Sequence, residues 1–344
     1  MPRRTYQKGS ALYLAIAIVL LVFLKMVVFE DGPVPLVEST VPVQQSPHMA
    51  KPQPHEQTAA TEPYGPPEKP SFAPPLELEM MAPMLPFSTY EKEIEELEPA
   101  WIKNAVASGA PKDRPRVVII IDDMGMDRKH TSEVMDLPGP LTLAFLPYAG
   151  DLKKQSAYAR SKGHELMVHV PMEPMKESTD VGPSALKTDM PEEEFSRILQ
   201  ADLGAFDGYV GINNHMGSKL TQDRTAMGRV MQELKKRGLL FVDSRTINTS
   251  VAEDEAKKSG IPYAARDVFI DHEETYEAAS DALEQVEKKA LKNGLAIAIG
   301  HPKAQTIQAL QEWLPTLQAK GIALVPISEA VQVPAGSNQD PALR

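Results

Sequence analysis

The sequence predicts an α/β fold, a (β/α) barrel of seven or eight parallel strands, from about residue 113 onward. Three observations carry this. Continuous apolar runs recur between Val117 and Val325, as expected of strands buried on both faces of a parallel sheet. Stripes of helical period stand between them. The runs also end repeatedly in Asp, Asn or His, and in a parallel barrel all C-terminal strand ends share one face. An open doubly wound sheet is the alternative topology. No G-x-G-x-x-G follows a strand, so dinucleotide binding is not expected.

The elements follow in chain order. Residues 1–30 read as a basic stub and a transmembrane anchor. Ala11 to Leu24 is unbroken apolar sequence that continues past Lys25 to Phe29, close to the roughly 20 residues that span a bilayer. Arg3, Arg4 and Lys8 precede it, which keeps the N-terminus cytoplasmic and exports the rest. A cleaved signal peptide is the competing reading. Residues 31–88 hold 14 prolines and read as an extended linker. Residues 89–112 read as a short acidic helical lead-in broken near Pro99, and residues 335–344 as a flexible tail.

Within the barrel region the expected strands are Val117–Ile121, Leu141–Phe145, Glu165–His169, Tyr209–Asn213, Leu239–Val242, Asp267–Ile270, Leu295–Ile299 and Ile322–Val325. Three helices announce themselves by i, i+3, i+4, i+7 stripes: Phe195/Ile198/Leu199/Leu203, Met227/Val230/Met231/Leu234 and Ala279/Leu283/Val286/Ala290. Pro191 suits a helix first turn. Ser250 and Glu253 have capping-box spacing. Gly163, Gly238, Gly260, Gly294 and Gly321 fall where left-handed helix C-caps belong.

The chain has no cysteine, which excludes disulfides, thiolate catalysis and thiolate metal sites. Its net charge of −11 argues against nucleic acid as a partner. The polar strand ends are Asp122-Asp123, His169 with Glu173 beyond it, Asn213-Asn214-His215, Asp243-Ser244-Arg245, Asp271-His272 and His301. Carboxylate with imidazole is ligand chemistry for a borderline divalent ion such as zinc. A second carboxylate is then available as base and a histidine as acid. His164, directly after Gly163, reads as structural.

The stretches VVIIIDDMG, LAFLPYA, GHELMVHVPMEP, GINNHMGS and AIAIGHP together resemble the divergent polysaccharide deacetylase family, within the NodB-like carbohydrate esterases. The resemblance covers about Arg116 to Val331. It implies a distorted (β/α) barrel and metal-dependent removal of N-acetyl groups from an amino-sugar polymer of the bacterial envelope. It also implies a membrane-anchored or secreted envelope protein, which with the anchor read above gives an inner-membrane protein whose C-terminal domain is periplasmic. By motif, Asp122 matches the catalytic base, Asp123 and His169 match metal ligands, and His301 matches the general acid. The family's second metal histidine is replaced by Glu173, so Glu173 or His215 completes the site. Asn213, Asn214, Asp243, Arg245, Asp271 and His272 are the expected substrate contacts. The alternative function is a catalytically inactive glycan-binding or scaffold module on the same fold.

Overall fold

The computed structural model describes residues 98–335. The expected anchor, the linker, most of the acidic lead-in and the tail beyond residue 335 lie outside the described residues. Among those described, no helix is long and apolar enough to cross a membrane.

The strands are β1 (Arg116–Met124), β2 (Thr142–Phe145), β3 (Glu165–Met172), β4 (Gly211–Met216), β5 (Leu240–Asp243), β6 (Tyr263–Ala265), β7 (Val268–Phe269), β8 (Leu295–Gly300) and β9 (Ala323–Leu324). All pair in parallel, in the order β6-β5-β4-β3-β2-β1-β8-β7, with β9 also against β1. β6 and β7 stand at opposite ends of this order, yet only Arg266 and Asp267 separate them in the chain. Two residues reach less than about 10 Å, so the sheet must curl until its ends nearly meet. It stops short of closure. The free edge of β6 pairs instead with the C-terminal segment, through reciprocal Tyr263–Gln332 backbone hydrogen bonds of 3.0 and 2.8 Å, which shields an otherwise open edge.

The helices are α1 (Ala100–Lys103), α2 (Arg128–Met135), α3 (Leu152–Ser161), α4 (Glu192–Leu203), α5 (Arg224–Arg237), α6 (Ala252–Ser259), α7 (Tyr276–Asn293) and α8 (Ala304–Trp313). The three predicted stripes are the buried faces of α4, α5 and α7. Side-chain caps start several helices: Asp127 accepts from two backbone N–H groups of α2, and Asp223 and Thr275 each from one in α5 and α7. The five predicted glycines all have positive φ, between 63° and 85°. The Ser250–Glu253 capping box does not form. Val251 is the residue before the helix, and Ser250 accepts from the nearer Ala252 N–H at 3.2 Å.

Strand alternation divides the core into two layers. Val117, Ile119, Ile121, Leu143, Leu166, Val168, Ile212, Phe241 and Ala298 face outward into the helices. Val118, Ile120, Ala144, Met167, Val210, Val242, Ile297 and Ile299 fill the barrel. Trp101 belongs to this inner cluster and is buried; its backbone N–H donates to Gly238 O at 2.9 Å. The lead-in therefore enters the barrel core. Only the four-residue α1 is helical there among the described residues.

β6 went unforeseen because three residues with one large apolar side chain make no run. His164 is structural, as expected. Its Nδ1 accepts from Leu141 N–H at 3.1 Å, so Nε2 carries the proton directed at Met135 O, 3.0 Å away.

Candidate metal centre and active site

The inner face of each strand continues into the site with a step of two. Ile120 leads to Asp122, Met167 to His169, Val242 to Ser244 and Ile299 to His301; on β4, Asn213 leads to His215. Regular alternation would turn Asp123 outward. Between Ile121 and Met124, however, β1 advances three residues while β2 advances two, from Leu143 to Phe145. This bulge, with Asp123 in the left-handed region at φ 55°, turns both aspartates toward the barrel mouth. Asp tolerates that conformation better than most residues.

Three donor atoms from β1, β3 and β4 form a near-equilateral triangle. His215 Nδ1 lies 3.0 Å from Asp123 Oδ1, His169 Nε2 lies 3.3 Å from the same oxygen, and the two nitrogens are 3.2 Å apart. Ligands held about 2.0–2.1 Å from a tetrahedral ion stand roughly 3.3 Å from one another. Asp123 Oδ1 is buried without a hydrogen-bond partner of acceptable geometry, as expected of an atom aimed at an ion. Among the described residues, these three form the group that could hold a divalent metal.

Asp122 lies beside the triangle. Its Oδ2 is 3.6 Å from His169 Nε2, and its Oδ1 accepts from Asn213 Nδ2 at 2.7 Å. Burial pushes its carboxyl up, against the pull of His169, His301 and the Asn213 hydrogen bond. Burial also acts on Asp123, but the His169 and His215 imidazoles outweigh it and hold that carboxyl well below the usual range. His301 Nε2 is 3.8 Å from Asp123 Oδ2. Its Nδ1 lies 3.0 Å from Asp271 Oδ1, and Asp271 Oδ2 accepts from the His301 backbone N–H at 2.8 Å and from Thr306 Oγ1 at 3.0 Å. Burial lowers the His301 pKa, but Asp271, with the charges of Asp122 and Asp123, outweighs this and raises it.

The model of the divergent polysaccharide deacetylases matches residues 119–331. The chain belongs to this family. The Escherichia coli K12 protein YibQ is 31% identical over 236 residues, covering 69% of this chain and 73% of that protein. A Haemophilus influenzae protein is 31% identical over 202 residues, covering 59% of this chain and 72% of its own length. The crystal structure of the Agrobacterium tumefaciens C58 protein ATU2773 superposes with a TM-score of 0.65 at 28% identity, over 68% of this chain and 95% of the other.

Within this deacetylase-family barrel, several expected site residues take other places. Glu173 is not among the clustered donors. Its Oε2 accepts from Thr188 N–H and Thr188 Oγ1, each at 2.8 Å, and its Oε1 pairs with Lys219 at 2.7 Å. The Glu173 backbone N–H is already bound to Leu186 O, so the residue fastens the β3–α4 connection and lines a polar cavity of about 710 Å³ beside it. Asp243 has outward parity, one residue past inward Val242. It accepts from the Arg245 backbone N–H at 2.7 Å and faces Tyr263 OH at 3.4 Å. Asn214 is buried and joins Met216 O to the Ser244 N–H. Asp271 is buried behind His301. None of these four presents a free group to a substrate. Asn213 is buried between His169 and Asp122. Arg245 and His272 remain exposed at the rim, where the His272 ring lies 6.0 Å from that of Phe269.

Two neighbours of the site were not among the expected site residues, although Ser244 stood in one of the polar strand ends. Ser244 Oγ accepts from Asn213 Nδ2 at 3.3 Å. Arg266 donates to Ser244 O at 2.7 Å and Arg245 O at 2.9 Å, and its guanidinium lies 5.0 Å from the Phe269 ring centre. Phe269 in turn meets the His301 ring edge-on at 5.5 Å. Parity alone would have selected Ser244 over Asp243. Arg266 lies in the β6–β7 link, which was invisible without β6.

Proposed function

We propose that this protein is a metal-dependent hydrolase that removes N-acetyl groups from an amino-sugar polymer of the bacterial cell envelope. The observation that carries the reading is the Asp123–His169–His215 triangle, with a buried carboxylate beside it and an Asp-supported histidine close by. Zinc held by these three residues would polarise the acetyl carbonyl and lower the pKa of a water molecule. Asp122 is the base: burial has raised its affinity for a proton, and Oδ2 is the oxygen not engaged by Asn213. His301 is the acid. Asp271 orients its imidazole and favours the protonated form, so that Nε2 delivers a proton to the departing sugar amine. The bond broken is the amide C–N bond; acetate and a free amine result.

The apolar run 11–29 behind Arg3, Arg4 and Lys8 supports single-pass anchoring in the inner membrane with the barrel in the periplasm. The proline-rich linker then gives the barrel reach toward the glycan.

The test is acetate release from N-acetylglucosamine oligomers and peptidoglycan fragments by the zinc-loaded full-length chain. Asp122→Asn should keep zinc and lose turnover by 100-fold or more, within the range set by general-base catalysis. His215→Ala should lose zinc, whereas Glu173→Ala should keep it. Full acetate release by Asp122→Asn would overturn the assignment. Glycan binding by the wild type without any acetate release would favour the inactive binding module.

A further inference from the structure

We infer that Asn213 is a positioning residue that orients both His169 and Asp122 through opposite ends of one carboxamide. The inference rests on the reading of Asp123, His169 and His215 as metal ligands. Asn213 is fully buried. One end of its amide lies 2.8 Å from His169 Nδ1, and the other lies 2.7 Å from Asp122 Oδ1 and 3.3 Å from Ser244 Oγ.

The polarity of the amide follows from its neighbours. The NH2 end faces Asp122 Oδ1 and Ser244 Oγ, as suits a carboxylate acting as a base, which in its ionised form only accepts hydrogen bonds. The carbonyl end then faces His169, whose Nδ1 must carry the proton. That leaves the lone pair of the neutral imidazole on Nε2, the nitrogen 3.3 Å from Asp123 Oδ1 and 3.2 Å from His215 Nδ1. A partner on the far nitrogen commonly sets the orientation and basicity of a metal-binding histidine. The same amide occupies Oδ1 of Asp122 and leaves Oδ2 as the proton acceptor. The β3–β4 register places Asn213 directly beside His169, and Ser244, the second acceptor of its NH2 group, holds the amide from just past the end of β5. A carboxylate at this position would serve His169 but confront Asp122 with a like charge. An apolar side chain would serve neither.

The experiment measures zinc affinity, by competition with a chromogenic chelator, and steady-state turnover for the wild-type full-length chain, Asn213→Asp and Asn213→Ala. Thermal unfolding of the metal-free forms is followed in parallel. Asn213→Asp keeps an acceptor for Nδ1, so zinc affinity should stay within about threefold of wild type while kcat falls at least 100-fold with little change in KM. Asn213→Ala should bind zinc 10–100-fold more weakly, the usual cost of losing such a partner. Wild-type zinc affinity in Asn213→Ala, or wild-type kcat in Asn213→Asp, would overturn the inference. Should Asn213→Ala fail to fold, Asn213→Asp decides through its separation of zinc affinity from kcat. Should the wild type release no acetate, the deacetylase reading fails alone, and the zinc affinities of the two variants still decide the His169 arm.

Discussion

At the scale of residues, the chemistry depends on which atom of each side chain is left free. Asp271 has no exposed surface in its side chain, and both its oxygens are engaged with His301 and Thr306. It therefore acts through His301. Because Asp271 raises the imidazole pKa, an acid at this position stays protonated to higher pH than a free imidazole and is lost as pH rises further. Asp271→Asn should move the alkaline limb of the kcat profile to lower pH; an unmoved limb would mean that another group supplies the proton. Glu173 makes the opposite point. Four residues past His169, it occupies the chain position of a ligand, but Lys219 and Thr188 already satisfy it. Glu173→Gln should leave zinc affinity unchanged and lower stability by about 1–2 kcal/mol, measured by denaturant unfolding, since a partly buried group loses charge-assisted hydrogen bonds. One sequence cannot separate Glu173 from His215, because the choice depends on β3 and β4 being neighbours in register.

At the scale of elements, the site is a product of strand parity and one bulge. Asp122, His169 and His301 each stand two residues beyond an inward apolar residue, and this much was legible from the runs themselves. The outward parity of Asp243 was legible too, although its position at a strand end made it look functional. The turn of Asp123 into the mouth was not legible, because a bulge is defined by the partner strand's count as well as its own. Close packing of neighbouring strands adds a second constraint at this scale. A Cβ on Gly211 would stand 2.3 Å from the Leu240 carbonyl oxygen, in the β4–β5 pair that delivers Asn213 and His215. Gly211→Ala should destabilise the fold by about 1–3 kcal/mol and weaken zinc binding together with it. An unchanged melting temperature would refute the contact.

At the scale of the whole molecule, the N-terminal mouth of the barrel is closed by segments distant in sequence. Trp101 fills it from the lead-in. Glu165, at the start of β3, ties the lead-in to the C-terminal 3-10 turn: it accepts from Val106 N–H at 3.2 Å, from Ser328 N–H at 3.0 Å and from the Ser328 hydroxyl. Trp101→Ala should cost about 3–5 kcal/mol, as for other large-to-small core changes, and a chain starting at Ser108 should be destabilised in the same way. Burial pushes the Glu165 carboxyl from 4.5 up to about 7 against these donors. The folded state therefore holds this proton more tightly than the unfolded chain. The contribution is complete below pH 4.5 and lost as pH rises through about 7, on the order of 3 kcal/mol in all. Comparing unfolding free energies of wild type and Glu165→Gln across this window should show the decline in the wild type only. Parallel curves would indicate that Glu165 does not titrate there.

The sequence by itself determined the parallel α/β class, the buried faces of α4, α5 and α7, the glycine caps and most of the polar strand ends, because these follow from local periodicity and backbone preference. Five motifs sufficed for the family resemblance that the family match then bore out. Tertiary structure alone decided that His215 rather than Glu173 clusters with Asp123 and His169, that Asp271, Asn213, Asn214 and Asp243 are buried and hydrogen-bonded to their neighbours, and that Trp101 belongs to the core. The physical reason is the same in each case. Strand registry, the β1 bulge and the curl imposed by the two-residue β6–β7 link set distances between atoms tens to hundreds of residues apart, and no local pattern encodes those distances.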